Sequence, residues 1–337
     1  MPPAIQVNRL TKAYRTYKKR PGLIGAVQGL FHRRYETTLA AKDVTFSVEQ
    51  GELVGFLGPN GAGKTTTLKM LAGLLHPTSG DAQVLGFTPW KREDGYRRQF
   101  ALLLGQKNQL WWDLPARESL ELNSKIYGIT SAAFRRTVDE MTALLNVRDK
   151  LDVMVRELSL GERMKMELIA ALLQEPKVLF LDEPTIGLDV VSQKTVRDFL
   201  RTHNAARKTT ILLTSHYMAD IQELCRRVII IDRGTIFFDG QLDEVLDRFA
   251  RCKMVTIQCD GGNAALPEQV RQHVEVVEQT PASVKLKVDR DRVITVCKAL
   301  LDELPVRDID IEEVPIEEVI RQIFVRRGNE ELSQREP

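Results

Sequence analysis

The fold of this chain is decided by the stretch Gly58-Pro59-Asn60-Gly61-Ala62-Gly63-Lys64-Thr65-Thr66. It has the G-x-x-x-x-G-K-[ST] spacing of a loop that wraps phosphate groups. Glycine is needed there because a Cβ would collide with the ligand or because φ turns positive. The apolar run Leu53–Leu57 before it predicts a buried strand, and residues 64–75 predict a helix whose N-terminus faces the phosphates. The sequence therefore predicts a nucleoside triphosphate site built on residues 58–66.

Four side chains carry the predicted chemistry of this site. Lys64 is expected to reach the β- and γ-phosphate oxygens, and the Thr65 hydroxyl to enter the coordination shell of Mg²⁺. A second apolar run, 178–181, ends in Asp182 and Glu183. This pattern is typical of a buried parallel strand, and ligands lie at the carboxyl ends of such strands. Asp182 is expected to hold Mg²⁺ through water, and Glu183 to orient the water that attacks the γ-phosphate.

Length and charge narrow the class of protein. The chain has 337 residues, enough for two domains, and its 48 Lys and Arg against 46 Asp and Glu give a net charge of +2. This balance disfavours a protein that binds nucleic acid through bulk charge. The four scattered cysteines predict reduced thiols. The N-terminus lacks the basic-then-apolar pattern of a signal peptide, and the apolar runs have the length of strands rather than of membrane spans.

Four further motifs follow in a fixed order. Gln106 stands in Leu-Gly-Gln-Lys, residues 158–162 read Leu-Ser-Leu-Gly-Glu, residues 187–189 read Gly-Leu-Asp, and His216 ends Thr-Ser-His. Over roughly residues 4–240 the chain resembles the ATPase subunit of ATP-binding-cassette (ABC) transporters, with these motifs at the Q-loop, signature, D-loop and switch-histidine positions. The resemblance implies an ATPase that uses ATP with Mg²⁺.

The resemblance also implies roles for these motifs. Gln106 would ligate Mg²⁺ or the attacking water and release both after hydrolysis. Ser159 and the N–H of Gly161, before a predicted helix over 163–173, would bind the γ-phosphate of ATP held by a second copy. Asp189 would complete the nucleotide site, and His216 would hydrogen-bond the γ-phosphate. Neither copy would then have a complete site alone.

Two signature residues depart from the usual Leu-Ser-Gly-Gly-Gln. Leu160 replaces a glycine, which costs little if its φ is negative. Glu162 replaces glutamine and brings a negative charge near the nucleotide, an electrostatic cost unless it faces ribose or solvent.

The aromatic side chain that stacks on the nucleotide base has two candidates. Tyr14 follows the first predicted strand, the family's usual place, and is preferred. Tyr35 competes with it, since it lies near the end of an apparent insertion, 15–38. Apolar residues recur at helical spacing within the insertion, and basic residues flank them. Such a helix would either face a membrane or a permease, or cap the edge of the cassette itself.

Another aromatic pair, Trp111 and Trp112, precedes a helix-rich stretch. These tryptophans would either contact a partner protein or fill the core of a small helical subdomain.

Alternating strands and helices predict an α/β P-loop NTPase with the ABC cassette fold, a RecA-like core plus a helical subdomain at about 107–170. The cassette is expected to span 1–240, followed by a linker, 241–252. Residues 253–327 show a βαββαβ order plus a helix, which predicts a C-terminal α+β ferredoxin-like domain that regulates or dimerises. The polar tail, 328–337, is expected to be disordered.

The sequence thus predicts an ATP-hydrolysing transporter subunit that pairs with a second copy and with integral-membrane permease subunits, peripherally at the cytoplasmic face of the membrane. The segment Asp-Glu-Pro-Thr-Ile-Gly-Leu-Asp, 182–189, is similar to that of ABC-2-type exporters of drugs or sodium. Two alternatives remain: an importer ATPase with a regulatory C-terminal domain, and a soluble ABC protein acting on ribosomes or DNA. No nucleic-acid partner is expected.

Overall fold

The computed structural model describes residues 2–17, 35–105, 109–215, 217–260 and 266–333. The chain divides into two compact units, Met1–Gly240 and Gln241–Pro337. Among the helices of the described residues, none is long and apolar enough to cross a membrane. All four cysteines are free thiols, as predicted.

The first unit contains two β-sheets and the helices that cover them. Its strands are β1 (Ile5–Tyr17), β2 (Tyr35–Val48), β3 (Leu53–Leu57), β4 (Ser79–Val84), β5 (Phe100–Leu104), β6 (Val178–Asp182), β7 (Thr210–Thr214), β8 (Arg227–Asp232) and β9 (Thr235–Gln241). Its α-helices are α1 (Lys64–Leu71), α2 (Asp94–Arg97), α3 (Ala116–Tyr127), α4 (Ser131–Leu144), α5 (Leu160–Leu172), α6 (Val190–Arg207) and α7 (Met218–Leu224). Short 3₁₀ turns occupy Pro89–Lys91, Arg148–Lys150 and Val155–Glu157.

The central sheet has six strands in the order β5-β6-β7-β3-β8-β9, and the pairs from β5 to β8 are parallel. Every residue of β6 and β7 is buried, because helices cover both faces of a parallel sheet. The carboxyl ends of β3, β6 and β7 therefore meet at one edge. This topology confirms the predicted α/β cassette.

The smaller sheet is antiparallel, in the order β2-β1-β4. One apolar core joins it to α1 and the central sheet, with the rings of Phe46 and Phe56 at 5.8 Å between centroids. The ends of the predicted insertion, 15–17 and 35–38, extend this sheet, since Arg15 pairs with Thr37 and Tyr17 with Tyr35. The predicted helix within the insertion lies outside the described residues.

The second unit has four antiparallel strands and flanking helices. They are α8 (Leu242–Phe249), β10 (Cys252–Cys259), α9 (Glu268–Arg271), β11 (Val274–Gln279), β12 (Ser283–Asp289), α10 (Val293–Glu303), β13 (Val306–Glu313) and α11 (Ile316–Ser333), with a 3₁₀ turn at Arg290–Arg292. The strand order β11-β12-β10-β13 is that of a split βαβ, ferredoxin-like sheet.

Two segments of the second unit differ from expectation. The predicted linker, 241–252, contains α8, whose Leu242 and Val245 are buried. The tail predicted to be disordered from 328 is helical to Ser333, because α11 continues without a break.

Candidate functional site

The phosphate loop, residues 58–63, joins β3 to α1, and two of its glycines are forced by close backbone contacts. A Cβ on Gly58 would lie 2.2 Å from the carbonyl oxygen of Ile231. At Gly63, where φ is +106°, it would lie 2.1 Å from the carbonyl oxygen of Ala40. No L-residue with a side chain fits these places, so the loop shape is fixed at the N-terminus of α1.

The Lys64 ammonium lies inside this loop. Its Nζ donates to the carbonyl oxygens of Gly58 and Pro59, at 2.7 and 3.2 Å. Burial lowers the pKa of Lys64, and the carboxylates of Glu183 and Asp182 oppose that shift. The loop thus holds one cation among the groups that are predicted to bind phosphate.

The Asp182 carboxylate connects three elements at the sheet edge. Its Oδ2 accepts from the Thr65 hydroxyl and its Oδ1 from the Thr214 hydroxyl, both at 2.7 Å. The bonds join the first turn of α1 to the ends of β6 and β7. Asp182 is thus fixed beside the phosphate loop.

Glu183 has a left-handed backbone, with φ at +57°. Such a conformation costs a non-glycine residue about 1–2 kcal/mol. Its N–H donates to the carbonyl oxygen and hydroxyl of Thr214, at 3.0 and 3.1 Å, which holds the turn. Gly105 packs against the same turn, where a Cβ would lie 2.5 Å from the carbonyl oxygen of Glu183. The backbone of the residue next to Asp182 is therefore strained and is held in place by its neighbours.

Ser159 is the N-cap of α5, so this helix begins three residues earlier than the predicted 163. Its hydroxyl accepts from the N–H of Glu162 at 3.3 Å, and the Glu162 carboxylate accepts from the N–H of Ser159 at 2.9 Å. This reciprocal capping box starts the helix at Leu160. Leu160 has helical geometry, which removes the predicted backbone cost of a side chain there, and Gly161 lies within the first turn.

Asp189 caps α6 beside the signature. Its Oδ1 accepts from the N–H of Ser192 at 2.9 Å, and these backbone bonds hold the pKa of Asp189 below its usual range. Gly161 packs against Ser192, where a Cβ would lie 2.5 Å from Oγ. The predicted signature and D-loop are therefore in contact within one chain.

Tyr14 and Tyr35 are both exposed on the ribbon formed by β1 and β2. Tyr14 lies opposite Thr38, two residues from Ala40, whose carbonyl contacts the phosphate loop. Tyr35 is five residues from Ala40 along the same strand. The register supports Tyr14 as the nearer candidate.

Two predicted site residues, Gln106 and His216, lie outside the described residues. Their neighbours frame them: Gly105 follows β5, and Ser215 follows β7. Gly105 and Ser215 themselves lie at the carboxyl edge of the central sheet that also carries Asp182.

Comparison with known proteins places this site in a family. The family model described as ABC transporter matches residues 41–186, and the one described as EvrA-like ABC transporter, C-terminal domain, matches residues 251–312. The chain is 34% identical to the ABC transporter ATP-binding protein NatA of Bacillus subtilis (strain 168), over 64% of this chain and 88% of that protein. This chain belongs to the ABC transporter ATPase family.

Two further similarities extend this result. The ABC ATPase is 36% identical to the Nod factor export ATP-binding protein I of Burkholderia pseudomallei (strain 1710b), over 67% of this chain and 73% of that protein. Its fold matches a dimeric post-hydrolysis structure of the ATP-binding cassette MJ0796 with ADP and Pi, at a TM-score of 0.59 and 21% identity, over 71% of this chain and 98% of that one. The predicted family, fold class and ATPase activity are confirmed.

Sequence reasoning missed a buried carboxylate in the ABC ATPase, Asp220 on α7, which accepts hydrogen bonds from three other residues. Its Oδ2 accepts from the hydroxyls of Thr185 and Ser215, and its Oδ1 from Arg197 at 3.1 Å. Asp220 is fully buried. These hydrogen bonds connect the loop after Glu183 to the end of β7 and to α6. A helical Asp has no sequence signal that distinguishes this role from a solvated one.

A second missed residue is Glu167 on α5, buried although it is a carboxylate. It accepts from the backbone N–H groups of Gln109 and Leu110, at 2.9–3.2 Å. Burial raises the pKa of Glu167, and these N–H groups oppose the shift. The signature helix is thereby attached to the chain that follows the Q-loop position.

Trp111 and Trp112 are exposed, 40% and 44%, so they do not fill the helical core. The Arg163 guanidinium lies 5.0 Å from the ring centre of Trp112. The structure is compatible with a contact between this pair and a partner protein, and the alternative that the pair fills the core of the helical subdomain is wrong.

Proposed function

We propose that two copies of this chain bind two ATP molecules between them and hydrolyse them to drive export through separate ABC-2-type permease subunits. The observation that carries the proposal is the pair of hydrogen bonds from the Thr65 and Thr214 hydroxyls to the Asp182 carboxylate. These bonds join the phosphate loop to the end of the strand that Glu183 follows. The name of the similar Nod factor export ATP-binding protein I supports the direction of transport.

Mg²⁺ fits the donors at this edge. Thr65 and Asp182 would hold it together with phosphate oxygens, since Mg²⁺ in nucleotide sites takes one or two protein oxygens and keeps water. Among the described residues there is no cluster of three or more His, Cys, Asp or Glu for a metal held by protein alone. When bound, Mg²⁺ supplies charge neutralisation at the phosphates. Gln106 stays a predicted further ligand.

Glu183 is the proposed group that orients and deprotonates the attacking water. The hydrogen bonds from its N–H to Thr214 fix the start of the side chain at the sheet edge. Lys64 neutralises charge on the transferred phosphoryl group, and His216 is proposed to hold the γ-phosphate from the end of β7.

The second copy contributes the signature. In α5 the N–H groups of Leu160 and Gly161 belong to the first turn, where a helix has no internal acceptors for them. Together with the Ser159 hydroxyl they form an anion site at the N-terminus of a helix of 13 residues. We assign the γ-phosphate of the opposite copy to this site, with Asp189 beside it.

The permease is proposed to contact the surface around Trp111 and Trp112. A groove of about 640 Å³ on the same unit is lined by Gln109, by β5 residues and by the exposed Ile126 and Tyr127 of α3. Aromatic side chains of this kind anchor protein interfaces. This contact would hold the subunit peripherally at the cytoplasmic face of the membrane.

Replacing Glu183 by Gln tests the hydrolytic role. The variant is expected to bind ATP normally and to lose at least about a hundredfold in turnover, the usual contribution of a general base. ATP binding is measured by equilibrium dialysis and turnover by phosphate release. Glu121→Gln, an exposed carboxylate on α3, is the matched control. Turnover near that of the wild type would remove Glu183 from this role.

The same variant tests the transport role. Tagged Glu183→Gln protein, held with ATP, is expected to co-purify a polytopic permease from detergent-solubilised membranes. Recovery with ribosomes or DNA in the soluble fraction would overturn the transporter proposal.

A further inference from the structure

The signature, residues 158–162, contains the negatively charged Glu162, although it is proposed to bind a phosphate group. Glu162 is the third residue of α5, and the preceding turn is proposed to bind a phosphate of the second copy. A carboxylate this close repels a polyphosphate unless its charge is balanced.

Both oxygens of Glu162 have partners. Oε2 accepts from the N–H of Ser159 at 2.9 Å, and Oε1 lies 3.1 Å from Nζ of Lys150. Lys150 ends the 3₁₀ turn Arg148–Lys150 and also lies 3.6 Å from Asp149. The Ser159 N–H lowers the pKa of Glu162, and Glu162 raises that of Lys150, so both are ionised at neutral pH.

This arrangement leaves the phosphate-binding groups available. The Ser159 hydroxyl uses an acceptor position for the N–H of Glu162, and its own hydrogen remains for donation. Glu162 itself is turned back toward Ser159 and Lys150. The carboxylate thus builds the cap, and the ammonium cancels the charge that the cap introduces.

We propose that Lys150 is a positioning residue, the counter-ion that allows the signature to carry Glu162 and still bind the phosphate of the second copy. The inference rests on the proposed two-copy site. Its consequence is that Lys150 matters more to ATP-driven dimerisation when residue 162 is Glu than when it is uncharged.

The test measures ATP-driven dimerisation by analytical ultracentrifugation, with every variant built in the Glu183→Gln background. Lys150→Met is expected to weaken the dimer roughly fivefold, from two symmetric copies of a partly exposed ion pair. Glu162→Gln keeps an acceptor for Ser159 without the charge, and is expected to strengthen the dimer. In the Glu162→Gln background, Lys150→Met is expected to weaken the dimer less than it does with Glu162 present, because only the direct attraction of the ammonium for phosphate is lost and no carboxylate is left without its counter-ion. The loss should also shrink in high salt, which loss of helix capping would not do.

Arg148→Met is the matched control, because Arg148 belongs to the same turn and pairs with Asp139 instead, at 3.1 Å. Lys150→Arg should restore dimerisation. An equal loss from Lys150→Met with Gln at 162, or no loss with Glu, would overturn the counter-ion role. If the Glu183→Gln parent itself forms no dimer with ATP, the two-copy function is wrong and the inference falls with it.

Discussion

Two glycines of the phosphate loop have positive φ but different surroundings. At Gly63 an added Cβ would lie 2.1 Å from the Ala40 carbonyl oxygen, whereas at Gly61 it would meet nothing within 4 Å. Gly61→Ala is therefore expected to cost about 1 kcal/mol of unfolding free energy from backbone strain alone. Gly63→Ala is expected to cost roughly 3 kcal/mol or more, since the backbone must also move.

Chemical denaturation without nucleotide measures this difference, because phosphate contacts then do not contribute. Equal losses for the two variants would show that the loop yields at Ala40 and that the close contact does not fix its shape.

The roles of single residues could be predicted from the sequence where the residues belong to a motif with a known spacing. The spacing of residues 58–66 and the apolar run before Asp182 predicted a phosphate loop with a carboxylate beside it, and the structure brings Thr65 and Asp182 into hydrogen-bond contact. Thr214 was not identified, because a threonine ending an apolar run has no pattern of its own. Glu162 does belong to a recognisable pattern, because Ser159 and Glu162 form the S-x-x-E pattern of a capping box. This pattern gives the correct start of α5, which the predicted start at 163 missed.

At the scale of the element, α5 has one buried carboxylate, which makes its stability depend on pH. Burial raises the pKa of Glu167 in the folded state. Because the pKa of Glu167 is higher in the folded than in the unfolded protein, its contribution to stability is fully present at pH values below the unfolded pKa. This contribution is lost as the pH rises through the folded pKa. In Glu167→Gln the amide oxygen still accepts from the N–H groups of Gln109 and Leu110.

Glu167→Gln is therefore expected to gain stability relative to the wild type as pH rises from about 4.5, the unfolded pKa, toward neutrality. Urea midpoints of both proteins at pH 4.5 and 7.5 give the difference. Glu121→Gln, on the exposed face of α3, should show no such trend. A constant difference between wild type and Glu167→Gln would mean that the two N–H groups fully offset the burial of the carboxylate.

At the scale of the whole molecule, the sequence predicted a sheet in each of the two units but missed one helix. The apolar runs of β3, β6 and β7 predict a parallel sheet because both of its faces are buried. In the second unit the βαββαβ order of elements predicted a ferredoxin-like domain, and the strand order β11-β12-β10-β13 is the one that such a domain has. Helix α8 was missed because its eight residues are fewer than the window over which a helical period is judged, although the segment is amphipathic.

The two-copy site makes a prediction about mixtures of inactive chains. Lys64→Ala removes the loop cation and Ser159→Ala removes the signature donor, so either variant alone is expected to be inactive at both sites. In a mixed dimer, the Ser159→Ala chain supplies an intact phosphate loop and the Lys64→Ala chain an intact signature. One site then has both elements, while the other has neither.

Random mixing makes half of the dimers mixed, so phosphate release should recover to about a quarter of the wild-type rate per chain if the sites act independently. Mixing Lys64→Ala with Lys64→Ala,Ser159→Ala is the control, because no pairing of these chains gives an intact loop. Recovery in the first mixture alone requires that the loop and the signature of one site come from different chains. No recovery despite ATP-driven mixed dimers would mean that each chain uses its own signature, and the site would then be complete within a single cassette.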